Sequence, residues 1–201
     1  EVYFNNDDEA DLFLIGVYSP LMQEYFYGNN YAYVLGGGDD LGFYQRSTPV
    51  SGGSMLCANA SSTTTDISNY WRVLYDGINR ANMLLEGIDG NSNITESGYK
   101  KFRAEALFLR AFYYFNLVQA WGDVPFRLES VKKASDAYKP KSDKQEIYDY
   151  IINDIKTALP DLPKFTKGDS SSAVTQSAAQ GILARIYMFR AGEHFRDKKT
   201  P

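Results

Sequence analysis

The sequence has one cysteine, Cys57, and one histidine, His194, among its 201 residues. A single cysteine excludes both an intrachain disulfide framework and a cluster of thiolate metal ligands. No HExxH pattern accompanies the histidine, and no catalytic signature surrounds the cysteine. The sequence therefore predicts neither a bound metal ion nor any other cofactor.

Long hydrophobic runs and an excess of positive charge are also missing. No stretch approaches the roughly 20 apolar residues that a helix needs to span a bilayer. The net charge is −4 at pH 7, which predicts no general attraction to nucleic acid or to anionic lipid. Membrane-spanning and nucleic-acid-binding classes are therefore disfavoured.

The motifs that would indicate phosphate binding, calcium binding or catalysis are incomplete. The GGGDD run at residues 36–40 is not followed by the Gly-Lys-Ser/Thr of a phosphate loop. Asp89, Asn91 and Asn93 imitate the first half of a calcium loop, but Ile94 stands where a glycine is needed. No acid pair can be assigned as general acid and base. The sequence predicts a protein that is not an enzyme.

Apolar residues recur at helical spacing in five segments of the chain. The predicted helices begin near Asn5, Asp66, Lys100, Asp143 and Thr175. The third helix, within residues 100–125, is apolar almost all the way round, which is typical of a helix packed on several sides. Its role is predicted to be structural.

One of the connections is short enough to join antiparallel helices. Residues 86–98 link the second and third predicted helices, which favours a helical hairpin. A faint internal repeat at a constant offset of 74 residues supports the pairing and comprises Leu109, Tyr113 and Phe115 with their counterparts Leu183, Tyr187 and Phe189. The sequence therefore predicts an all-α fold of tetratricopeptide-like antiparallel helix pairs, in a single helical domain over residues 1–201.

Residues 25–65 differ from the rest, because they are rich in Gly, Ser, Thr, Asn and Tyr and show no helical period. We predict an ordered, irregular excursion in which function is concentrated. Aromatic faces for sugar rings and polar groups for hydroxyls occur together there. The predicted ligand-binding residues are Tyr31, Tyr33, Asp39, Asp40, Phe43, Tyr44 and Arg46. An alternative is that these aromatic residues only attach a long loop to the helical body.

Five segments in a fixed order resemble the SusD/RagB family of outer-membrane nutrient-binding lipoproteins. They are WRVLYDGINRAN (71–82), AEALFLRAFYY (104–114), WGDVP (121–125), EIYDYIINDIKTA (146–158) and TQSAAQGILARIY (175–187). The resemblance extends over roughly residues 7–195 and covers only the N-terminal portion of the family pattern. The C-terminal remainder of that pattern is expected to be absent.

This resemblance implies a helical, tetratricopeptide-like fold that supports a loop-built glycan site without catalysis. It further implies a location at the cell surface, on the outer membrane, as the lid-like partner of a TonB-dependent (SusC-like) transporter. The lipid-anchoring cysteine of the family does not occur in this chain, so membrane attachment is expected only through an anchor on the precursor. The alternative is a tetratricopeptide-like scaffold that binds a protein partner in a helical groove.

Overall fold

Five α-helices form most of the part of the chain that the structure describes. The computed structural model describes residues 4–28, 64–166 and 173–197, with the backbone alone at residues 137 and 193–197. The helices are α1 (Asp7–Tyr18), α2 (Thr65–Ile88), α3 (Glu96–Trp121), α4 (Lys144–Ala158) and α5 (Gln176–Asp197). The predicted all-α class is confirmed.

Short elements connect these helices. The strands β1 (Val124–Pro125) and β2 (Lys141–Ser142) pair antiparallel, with Val124 opposite Ser142. Single helical turns occur at Ser19–Met22, Glu24–Gly28, Ala134–Ala137 and Leu159–Asp161. The chain divides into two compact units, one of residues 1–17 and 78–201 and one of residues 18–77.

Helix α3 provides much of the core of the larger unit, as its apolar composition predicts. Every residue from Ala104 to Ala111 is buried, and so is every residue from Tyr113 to Val118. Tyr113 and Tyr114 are fully buried next to one another. Successive residues of a helix point about 100° apart, so burial of so long a run means that neighbours cover α3 on several sides.

Hydrogen bonds between helix ends show that the helices form antiparallel pairs. Asp123, just after α3, accepts a hydrogen bond from the Lys144 N–H at the start of α4 at 3.1 Å, whereas Arg110 in the middle of α3 bonds Asp154 near the end of α4. Helix α5 runs antiparallel to α4 in the same way, because Arg190 in its second half donates hydrogen bonds to Gln145 and Asp149 in the first half of α4. The predicted tetratricopeptide-like pairing is confirmed.

The first turn of α3 begins earlier than predicted, at Glu96 rather than near Lys100. Thr95 caps the helix, since its Oγ1 accepts a hydrogen bond from the Gly98 N–H at 3.0 Å. The sequence prediction placed Gly98 in the connection between the second and third helices. A Cβ atom at Gly98 would lie only 2.5 Å from the Asp7 carboxylate. Glycine therefore permits the close approach of α1 to this helix end.

Asp7→Asn is expected to reduce stability at neutral pH and to have little effect at strongly acidic pH. Thr95 donates from its hydroxyl to Asp7 Oδ2 at 2.5 Å and from its N–H to Oδ1 at 2.9 Å. These hydrogen bonds lower the pKa of Asp7 from its ordinary value of 3.8. The stabilisation is fully present above that ordinary value and is lost as the pH falls through the lowered one. Urea midpoints at pH 7 and at about pH 2 would measure the difference.

Asp8→Asn is the matched control for the change in net charge. Asp8 is exposed, and the structure gives it no hydrogen bond within the described residues. A deficit of Asp7→Asn that has the same size at both pH values would contradict the assigned role of the Asp7 carboxylate.

Candidate functional site

The seven residues predicted to bind a ligand lie outside the described residues. The structure describes the chain up to Gly28 and again from Thr64, and the predicted set falls between them: Tyr31, Tyr33, Asp39, Asp40, Phe43, Tyr44 and Arg46. Their role therefore stays a prediction, whereas the residues that flank the segment can be described.

Aromatic rings join the two flanks of this segment. Phe26, which precedes it, is fully buried, and Tyr70 on α2, which follows it, is 4% exposed. Their ring centroids are 5.5 Å apart, and Phe26 also stacks on Tyr27 at 4.3 Å. Such pairs contribute about 0.5–1.5 kcal/mol each beyond their buried area. The residues just before the 29–63 segment therefore pack against α2, the helix that follows it.

A buried ion pair connects α3 to α4 in the larger unit. Nε and Nη2 of Arg110 donate to the two carboxylate oxygens of Asp154 at 2.9 and 3.0 Å, and both side chains are buried. Nη1 of Arg110 donates to Oδ1 of Asn82 on α2 at 3.0 Å. Burial raises the pKa of the Asp154 carboxyl, and the Arg110 guanidinium opposes this rise. The three side chains join α2, α3 and α4.

The same network fixes the segment that follows β1. Nδ2 of Asn82 donates to the carbonyl oxygens of Arg127 at 3.3 Å and Glu129 at 3.1 Å. The Tyr114 hydroxyl accepts from the Arg127 N–H at 2.7 Å and donates to its carbonyl at 3.0 Å, and burial raises the pKa of Tyr114. These contacts use backbone atoms of Arg127 and Glu129, so they hold the segment without using the Glu129 side chain.

A surface cleft of about 450 Å³ opens beside this fixed segment, within the volume range of small-molecule sites. Residues 126–130, Lys132, Asp136 and Lys139 line one side, and β2 and α4 supply Ser142, Glu146 and Tyr150. The Phe126 ring lies 4.8 Å from the ring of Tyr150, which is 39% exposed. The cleft therefore combines an accessible aromatic ring with charged side chains.

A second set of hydrogen bonds holds one edge of the cleft. Ser130 donates from its N–H and its hydroxyl to the two carboxylate oxygens of Glu86, both at 2.7 Å. Burial disfavours the charged form of Glu86, but the Ser130 hydrogen bonds and the Lys132 ammonium outweigh it and lower the pKa of Glu86. The Val131 N–H donates to Oδ1 of Asn79 at 2.8 Å. The cleft wall is thus attached to α2 at two further points.

Sequence reasoning did not predict this cleft, because it assigned ligand binding to the excursion at residues 25–65. The residues that fix the wall, Asn82 and Glu86, lie more than 40 positions before the backbone groups they bind, and no local pattern links them. One available signal was Phe126, a large aromatic residue directly after the WGDVP segment. That residue indicated that the connection returns to the core.

The described residues contain neither a group of metal ligands nor a helix that could span a membrane. In residues 4–28, 64–166 and 173–197, no three His, Cys, Asp or Glu side chains converge as a set of metal ligands would. None of the helices in these ranges has both the length and the apolar character of a membrane span.

A family comparison matches residues 50–188 to the SusD-like family, described as starch-binding and associating with the outer membrane. The match covers well over half of the chain. It includes all of α2, α3 and α4 and therefore both the buried ion pair and the cleft.

Individual proteins are similar over nearly the whole chain. SusD-like protein P25 of Formosa agariphila is 27% identical over 94% of this chain and 37% of its own length. A SusD homolog from Bacteroides thetaiotaomicron has a TM-score of 0.79 at 28% identity, over 92% of this chain and 36% of that one. A laminarin-binding SusD-like protein has a TM-score of 0.81 at 27% identity, over 95% and 42%. The chain thus spans about 37% of the length of the curated relative.

Proposed function

The chain belongs to the SusD-like family, and on this basis we propose that it binds glycan at the cell surface without cleaving it. The family match over residues 50–188 carries this proposal, since the family is described as starch-binding. A structural relative at 27% identity is a laminarin-binding protein, which adds support for a carbohydrate ligand.

We place the glycan site on the excursion at residues 25–65. Sugars present apolar ring faces and a rim of hydroxyl groups, which aromatic rings and Asp or Arg side chains complement. The excursion contains both types, with Tyr44 and Arg46 close together in sequence. The contact between Phe26 and Tyr70 supports this placement, because it fixes the start of the excursion to α2, the helix that follows it.

We also propose that the whole protein is lipid-anchored in the outer membrane as the lid-like partner of a TonB-dependent, SusC-like transporter. The family description associates these proteins with the outer membrane, which supports the location. Membrane fractionation of the native host, followed by co-purification, tests this. Recovery in the cytosolic fraction without a transporter would argue against both statements.

Tyr44→Ala and Arg46→Ala are each expected to weaken glycan binding by about tenfold, because each removes one stacking face or one hydrogen-bonding group. Affinity electrophoresis in gels that contain starch, laminarin, xylan or mannan measures the retardation. The matched control is Tyr138→Ala, since Tyr138 is 87% exposed and does not line the cleft. The thermal midpoints of the variants should equal that of the wild type.

Three results would count against the proposal, each in a different way. Unchanged retardation of both variants would remove Tyr44 and Arg46 from the site. Absence of retardation of the wild type in every gel, together with a tight protein partner, would favour the tetratricopeptide-like scaffold. Release of oligosaccharides from any of these polysaccharides would show that the protein is an enzyme.

A further inference from the structure

The side chains around the cleft fall into two groups according to their contacts. Three of them hold the fold together: Arg127 donates to the Asp136 carbonyl at 2.5 Å, Asp136 accepts from the Lys133 N–H, and Lys132 lies 3.5 Å from Glu86. These contacts keep the wall in place. The other polar side chains of the cleft do not take part in these contacts and can bind a ligand.

The second group has no hydrogen-bond or ion-pair partner within the described residues. It consists of Glu129, Lys139 and Glu146, all of which are exposed and line the cleft. Two carboxylates offer acceptors, and one ammonium offers three donors. Tyr150 adds a partly exposed ring whose position is set by its contact with Phe126. Donors, acceptors and an apolar ring face thus surround one cavity.

The charge of the lining selects against a strongly ionic ligand. The cleft has three carboxylates, Glu129, Asp136 and Glu146, and three cations, Arg127, Lys132 and Lys139, so their formal charges cancel. An anion site would need an excess of cations, and a cation site an excess of carboxylates. A neutral ligand with an apolar face and many hydroxyl groups fits this lining best. Saccharides have this chemistry.

We propose that this cleft is a second saccharide-binding site, separate in the chain from the excursion at residues 25–65. The proposal rests on the proposed function, because the cleft would bind the same class of ligand. Tyr150 stacks against the apolar face of one sugar ring, Glu129 and Glu146 accept hydrogen bonds from hydroxyl groups, and Lys139 donates to a hydroxyl or ring oxygen.

Tyr150→Ala is expected to lower the affinity for the retarding polysaccharide by about five- to tenfold, whereas Tyr150→Phe, which keeps the ring, should bind as the wild type does. Glu146→Gln should weaken binding by about three- to tenfold and removes no apolar contact from the core, so it remains informative if Tyr150→Ala unfolds. Tyr138→Ala again serves as the exposed-tyrosine control. Affinity electrophoresis and titration calorimetry with starch and laminarin oligosaccharides measure retardation and stoichiometry.

The outcomes separate the cleft from the excursion. Two sites per wild-type chain, with one lost in Tyr150→Ala and the other in Tyr44→Ala, would support the proposal. Wild-type affinity and stoichiometry in both Tyr150→Ala and Glu146→Gln, with binding still weakened in Tyr44→Ala, would overturn the cleft site and leave the proposed function intact. Failure of the wild type to bind any of the four polysaccharides would overturn both.

Discussion

Asp154→Ala is expected to lower the free energy of unfolding by about 3–5 kcal/mol, the cost of breaking a buried ion pair by removing one partner. The variant leaves the Arg110 guanidinium buried while Nε and Nη2 lose the carboxylate oxygens that they bond at 2.9 and 3.0 Å. Burial already raises the pKa of Asp154, which indicates that the site is poor in solvent and that an unpaired charge is costly there. Urea denaturation at pH 7 measures the change.

Asp149→Ala on the same helix is the matched control. Its carboxylate pairs with Arg190 at 2.7 Å but is 68% exposed, so its loss should cost only about 0.2–1 kcal/mol. The double variant Arg110→Met/Asp154→Leu removes both charges and should be less destabilised than Asp154→Ala alone. Equal losses for Asp154→Ala and Asp149→Ala would contradict the assigned importance of the buried pair.

Phe115→Ala is expected to destabilise the fold by about 3–5 kcal/mol, as large-to-small substitutions of buried aromatic residues do. Phe115 is 2% exposed, and its ring meets that of Phe189 on α5 edge to face, with centroids 5.6 Å apart. The substitution leaves a cavity on α3 and removes this aromatic contact. Thermal and urea denaturation should both show the loss.

Phe189→Ala removes the other ring of the same pair. It therefore tests the loss of the aromatic contact without the loss of the buried Phe115 ring. Phe189 is 37% exposed, so solvent fills much of the space and the expected loss is only about 1–2 kcal/mol. If Phe189→Ala proved as damaging as Phe115→Ala, the contact between α3 and α5, rather than the core packing of Phe115, would dominate stability.

Local sequence signals predicted the helices because the apolar stripe and the capping residue of a helix lie within its own segment of the sequence. The stripe of Ile147, Ile151 and Ile155 on α4 is almost completely buried, as its spacing predicts. Asp143 caps that helix, and its carboxylate accepts from the Gln145 N–H at 2.6 Å. Caps and apolar stripes depend on residues only a few positions apart, so they can be recognised without knowledge of the fold.

Features that depend on distant residues could not be predicted in the same way. Gly98 was predicted to lie outside α3. The contact that requires glycine at this position is with the carboxylate of Asp7, more than 90 residues earlier, so no local pattern shows it. The cleft was missed because the Asn82 amide fixes its wall from another helix. The predicted ligand set, represented by Tyr44 and Arg46, lies outside the described residues and stays a prediction.

The connection between α3 and α4 is closed at its base, because Val124 pairs with Ser142 and Asp123 accepts from the Lys144 N–H. Once the ends of a loop are held, doubling its length adds only about 0.6 kcal/mol of closure entropy. The connection can therefore accept insertions while the helix pair keeps its register, provided that the contacts of Lys132 and Asp136 are kept. Ligand preference at the cleft is thus free to evolve separately from the stability of the scaffold.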